Sequence, residues 1–173
     1  MHETPEDLAA LQALLDRSFA SAGPHLLDIV RPERRLTAEG AVGALQGMCL
    51  LALATVTADA RPLVGPVDGI FYRGAFHFGS SDDSVRFRHI AHNPAVSAVH
   101  LPGEHLAVTV HGTAVPIDIR HPDHAGFRRT LLDVYTPRYG EDWEATFLDT
   151  GPRYARIDAT RMYTFVMDPA DAG

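Results

Sequence analysis

The stretch from residue 48 to residue 80, "MCLLALATVTADARPLVGPVDGIFYRGAFHFGS", decides the fold. "MCLLALATV", residues 48–56, is a short apolar run bounded by turn residues, the pattern of a buried strand. "TADARP" reads as a turn. "PLVGPVDGIFY", residues 62–72, reads as a second extended segment, broken by Gly65 and Pro66. "RG" turns the chain into "AFHFGS", a third strand.

Toward the C-terminus the same grammar continues. "AVSAVHL" predicts a fourth strand and "LAVTVHGTAVPIDI" a long fifth one. "RYARIDATRMYTFVM", residues 153–167, is the last strand region. Residues His121 to Tyr135 carry Pro122 at the start and an apolar stripe of Phe127, Leu131, Leu132 and Tyr135, so they predict a helix. Asp142 to Leu148 predicts a shorter one. Toward the N-terminus, Thr4 precedes Pro5, Glu6 and Asp7, a helix start with a capping hydroxyl and first-turn acids. Leu8, Leu11, Leu14, Leu15 and Phe19 then share one helical face. Residues 24–36 read as irregular, and Thr37 caps a helix from Ala38 to Gln46. Six strands without a βαβ rhythm predict a mainly β fold, a closed antiparallel barrel with peripheral helices. The expected organisation is one domain, residues 1–173. Residues 1–46 form a helical extension, and residues 47–168 the barrel with inserted helices near 84–92 and 121–149.

Between the third and fourth strands lies "GSSDDSVRFRHIAHNP". Gly79 ends a strand, where backbone can approach a ligand closely. Ser80, Ser81 and Ser84 offer hydroxyl and amide donors, and Ser84 is a good cap for a helix from Val85 to His92. A helix start attracts anions, and Arg86 lies in its first turn. The same residues also make an ordinary solvated strand–turn–helix connection. Asp82 and Asp83 are tolerable beside an anion only if the turn directs them outward or Arg88 pairs with them.

The ordered series "LALATVTADARPLVGPV", "GAFHFGSS", "SVRFRHIAHNPAVSAV" and "LAVTVHGTA" resembles the pyridoxamine 5′-phosphate oxidase-like family, the flavin-binding split β-barrels. The likeness covers about residues 45–115, with a weaker echo in "IDATRMYTFV". It implies an antiparallel split barrel of the FMN-binding-protein type and a homodimer with cofactor sites between the chains. It also implies FMN, or the deazaflavin F420 in one branch, for redox chemistry on a small organic molecule. By this likeness Ser84 and Arg86 stand where the family has "S-x-K" before its helix. Ser80 falls at a family Thr, and Val64, Gly65 and Pro66 match the strand that runs along the flavin ring. The implied cofactor-binding set is therefore Val64, Gly65, Pro66, Gly79, Ser80, Ser81, Ser84 and Arg86. The sequence departs from the pattern at Val85, at Asp82–Asp83 and at Gly65. The cofactor carries the chemistry in such proteins, so no catalytic acid or base is assigned. Alternatives of the same fold are an F420-dependent reductase and a non-enzymatic flavin- or haem-binding stress protein.

Composition narrows the remaining classes. The net charge of −7 opposes a nucleic-acid role, which needs a basic face. No apolar run approaches the roughly 20 residues that span a membrane, and the N-terminus lacks a signal-peptide core, so the expected location is cytoplasmic. Cys49 sits alone in an apolar strand and reads as a core residue. His89 with His92, and His121 with His124, lack the companion ligands of a zinc site. His100, His105 and His111, near strand ends, are the positions for a haem ligand. His77 alternates with Phe76 and Phe78 and faces either a flavin or the polar side. "RYGEDW" around Trp143 reads either as a lid over the site or as packing against the barrel.

Overall fold

The computed structural model describes residues 2–167. Six antiparallel strands close into a barrel: β1 (Met48–Val56), β2 (Pro62–Tyr72), β3 (Ala75–Ser80), β4 (Ala95–Gly103), β5 (Leu106–Ile117) and β6 (Arg153–Val166). Their order around the barrel is β1-β2-β3-β6-β5-β4, with β4 pairing back to β1. Closure leaves no free sheet edge along most of the wall. The fold is the closed antiparallel barrel expected from the strand pattern, with helices outside it.

The interior is filled by the alternating inward residues of each strand. Leu51 and Leu53 meet Val67, Phe76, Phe78, Val108, Val110, Ile157 and Met162, all buried. Cys49 belongs to this core, and burial pushes its thiol pKa up to about 11. Arg73 and Gly74 both have positive φ, +50° and +78°, the geometry of a two-residue hairpin turn between β2 and β3. At the β5–β6 bulge next to Gly112, a Cβ would stand 2.2 Å from the Asp158 carbonyl, so only glycine fits.

Helix α1 (Pro5–Ala20) starts with a reciprocal cap: Asp7 N donates to Thr4 Oγ1, and Thr4 N to Asp7 Oδ2. Asp7 also takes the Arg73 guanidinium at 2.9 Å, which ties this helix to the β2–β3 turn. Its other end lies on β6, where Ser18 Oγ accepts from Met162 N. The segment expected to be irregular holds α2 (Pro24–Ile29) and a 3₁₀ turn, Pro32–Arg34. The physical reason is local: Pro24 and Pro32 each occupy a first helical position, with φ already set. Thr37 caps α3, which spans Ala38–Ala44 and so ends before Gln46.

Three further helices complete the structure. Helix α4 (Val85–His92) follows β3. Helix α5 (Ala125–Tyr139) and the short α6 (Trp143–Thr146) lie outside the barrel. They form a second core with Ile70, Ile119 and Tyr154. Helix α5 runs one turn past its expected end and through Pro137. A continuous stack of rings holds that last turn: Tyr139 on Tyr135, Tyr135 on Trp143, and Trp143 on Phe147, with centroids 5.8, 4.9 and 5.6 Å apart. No helix among the described residues is long and apolar enough to cross a membrane.

Candidate functional site

The β3–α4 connection is built around Ser84 and Arg86. Ser84 caps α4, its Oγ accepting from Phe87 N at 3.4 Å. Arg86 leaves the first turn of α4 and lies across β2, where its Nη2 donates to the Pro66 carbonyl at 3.0 Å. It passes over Gly65, where a Cβ would stand 3.4 Å from Nη2. Gly65, Pro66, Ser84 and Arg86, distant in sequence, therefore meet at one place. Strand β2 is continuous through Gly65 and Pro66, which corrects the expected interruption. In a strand, one residue's N and C=O point to the same side. Pro66 offers its carbonyl to Arg86, so its missing N–H faces away from β1 and costs no ladder bond.

The two acids of the turn face elsewhere. Asp82 pairs with Arg153 at the start of β6. Arg88 donates to the Asp83 backbone carbonyl at 2.6 Å, not to either carboxylate. Both aspartates are exposed. Among the described residues the Ser80 and Ser81 hydroxyls make no hydrogen bond, and Arg86 makes none beyond Pro66. Burial lowers the Arg86 pKa, yet a guanidinium stays charged at any working pH. One cation, two free hydroxyls and the first N–H groups of an eight-residue helix make a donor set that fits a phosphate. Val64, 69% exposed, stands on the outer face two residues before Pro66. A Cβ at Gly79 would stand 2.5 Å from the Tyr154 ring, so its bare Cα serves ring packing.

Beside this cradle lies a cavity of about 390 Å³ between the outer barrel wall and α5–α6. Asp68, Gly79 and His77 line the barrel side; Tyr135, Trp143 and Tyr154 are among the rings. Asp68 is on the Pro66 side of β2, one pleat along. Gly69 pairs with Phe78, so Asp68 is set beside Gly79. Burial, with the Asp68 carboxylate acting in the same direction, holds the Tyr135 and Tyr154 phenols well above the usual tyrosine range. His77 is buried against Phe127, ring centroids 4.4 Å apart. Its Nδ1 lies 3.1 Å from the Ala75 carbonyl, which only accepts, so Nδ1 carries the proton and Nε2 the lone pair. Burial lowers its pKa to about 4, and the ring is neutral at pH 7. Trp143 thus both packs on the outer wall and lines the cavity.

Asp68, Tyr135 and Tyr154 escaped the sequence reading. Asp68 had one signal, its two-residue spacing from Pro66 on an outward face. Tyr135 reads as helix stripe and Tyr154 as strand. Three of the remaining histidines have polar partners: His89 Nδ1 is 2.9 Å from Thr55 Oγ1, and His111 Nδ1 is 2.8 Å from Ser97 Oγ. His100 Nδ1 donates to the Leu50 carbonyl at 3.0 Å. Among the described residues no three metal-binding side chains converge.

No family model matches this sequence, and no curated protein does. Solved structures do match in fold. An FAD-binding protein from Mesorhizobium loti is similar with TM-score 0.55 and 19% identity, covering 76% of this chain and 93% of its own. An F420 reductase is similar with TM-score 0.54 and 20% identity, covering 69% and 93%. HutZ, the haem storage protein of Vibrio cholerae, is similar with TM-score 0.58 and 20% identity, covering 76% and 94%. At these identities the likeness establishes the split-barrel fold.

Proposed function

We propose that this chain is a flavin-binding oxidoreductase of the pyridoxamine 5′-phosphate oxidase-like type, holding FMN and acting on a small organic molecule. The observation that carries this reading is Arg86, laid over Gly65 and fixed by the Pro66 carbonyl at the start of α4. Bound FMN would supply two-electron redox chemistry. Arg86, the α4 N–H groups and the Ser80 and Ser81 hydroxyls would hold its phosphate. The outer face of β2 at Val64 and Pro66, with the Gly65 backbone between them, would support the ring. The chain's own part is binding, orientation and exclusion of water. The F420 reading draws on the reductase of the same fold. F420 has a longer anionic tail, and Arg88, the next cation, is already engaged by Asp83; this favours FMN. A haem-holding or non-catalytic role has the likeness to HutZ in its favour.

We also propose that the protein works as a homodimer. Leu50, Val64 and Leu101 are 57%, 69% and 60% exposed on the outside of neighbouring strands β1, β2 and β4. Ala52 lies between Pro66 and Val99 in the same layer. This flat apolar face borders both the cradle and the cavity, and a second copy is the occupant that would cover it.

Arg86→Ala tests the cradle. FMN affinity should fall about 30- to 150-fold, roughly 2–3 kcal/mol for a charge-assisted pair. Riboflavin, which lacks the phosphate, should bind wild type and variant alike in the same fluorescence titration. Equal losses for both flavins would refute the phosphate anchor.

A further inference from the structure

The cavity under α5–α6 has a chemistry distinct from the cradle beside it. Asp68 is the only charged side chain among its lining residues at neutral pH, since His77 is neutral there. No hydrogen bond or ion pair engages the Asp68 carboxylate among the described residues. It is partly buried, where an uncompensated charge is costly. The opposite wall is the run of near-parallel rings Tyr135, Tyr139, Trp143 and Phe147, with interplanar angles of 19° to 29°. The Arg128 guanidinium, which acts on the Tyr154 phenol, is committed to Glu144 and Asp149. The Tyr135 and Tyr154 hydroxyls make no hydrogen bond among the described residues, although both residues are buried.

We propose that this cavity is the substrate pocket and that it selects a planar aromatic cation, with Asp68 as its charge partner and the stacked rings as its bed. The aromatic preference follows from the lining, where four of the rings belong to one stack. The charge follows from one unpaired carboxylate with no cation among the cavity's lining residues, a setting that attracts a cation by ion pairing. An anionic substrate would meet Asp68 unfavourably. The site is thereby divided by sign. The anion-binding end is at Arg86, which reaches the Pro66 carbonyl, and the cation-binding end at Asp68, two residues further along β2. Calling the occupant a substrate rests on the redox reading above; its binding in the cavity does not.

Trp143, the single tryptophan of the chain, lines the cavity and reports occupancy directly. Three bicyclic probes of one shape, 1-methylquinolinium, 1-methylnaphthalene and 1-naphthoate, are titrated by calorimetry and by Trp143 quenching. The cation should bind at least tenfold more tightly than the anion, with the neutral probe between them. Asp68→Asn should remove most of that preference, roughly tenfold in cation affinity, and Asp68→Glu should restore part of it. Equal binding of cation and anion, or an Asp68→Asn variant that keeps the preference, would overturn the proposal, as would no binding by any probe. The titration is repeated on protein saturated with FMN. Retained cation binding supports a separate substrate pocket. Loss of it would show that the flavin ring fills the cavity and would overturn the substrate assignment while leaving the cofactor reading intact. Failure of FMN to bind at all, with the cation preference retained, would sink the redox reading and with it the word substrate, and leave the cation pocket standing.

Discussion

His77 illustrates how one buried side chain converts packing into pH dependence. It stands on the outward side of β3, yet Phe127 of α5 covers it and removes it from water. Its pKa falls to about 4 in the folded chain, against an ordinary 6.5. Below pH 6.5 the unfolded chain therefore binds a proton that the folded chain refuses. The native state keeps this contribution above pH 6.5 and loses it as pH falls toward 4, up to roughly 3 kcal/mol. His77→Gln should flatten that part of the stability curve, measured as urea unfolding at pH 7 and pH 4.5. An unchanged difference between the two pH values would contradict the buried neutral ring. At this scale the sequence was only partly readable. Ser84 and Arg86 share one helical turn, so their meeting was legible from spacing alone. Asp68, Tyr135 and Tyr154 come from three elements, and two of them look like ordinary apolar positions. Their convergence depends on how α5 docks, which no local pattern encodes. Asp82 found Arg153 rather than Arg88, a partner 71 residues away across the β3–β6 ladder.

Among the elements, the strands were the most legible because burial alternates along them and turns punctuate them. Strand β2 was misread where Gly65 and Pro66 lower strand propensity. Strand β3 pairs with β2 only over Gly69–Tyr72, so the Pro66 segment has an open side and tolerates a residue without an N–H. The same open side is where Arg86 arrives. Helix α5 outran its expected end because the ring stack compensates for Pro137. The cover that α5 and α6 make is fastened by Arg128, whose Nη2 reaches Glu144 at 2.5 Å and Asp149 at 3.1 Å. Its Nη1 is buried with no partner among the described residues. Both carboxylates are partly exposed, so Arg128→Ala should cost only about 1 kcal/mol of stability. It should nevertheless loosen α6 and shift Trp143 emission to the red, with faster acrylamide quenching. An unshifted emission would mean that the ring stack alone holds the cover.

At the level of the whole molecule, the barrel places three features beside β2: an apolar face, the Arg86–Pro66 contact and an aromatic cavity. Closure of the barrel was legible from six strands and short connections. The apolar face was not, because Leu50 and Leu101 look like core residues until the register turns them outward. Their exposure makes the dimer a physical expectation, since a flat apolar patch on a free surface invites a partner. The double variant Leu50→Asp, Leu101→Asp leaves the interior untouched and places like charges on that face. It should yield a folded monomer. The decisive measurement is sedimentation velocity, followed at a flavin wavelength, of wild type and of this double variant with FMN. The account predicts wild-type protein sedimenting as a dimer that carries one FMN per chain, and a monomeric variant that leaves FMN behind. A wild-type monomer that carries FMN, or a monomeric variant that binds it undiminished, would contradict the shared site.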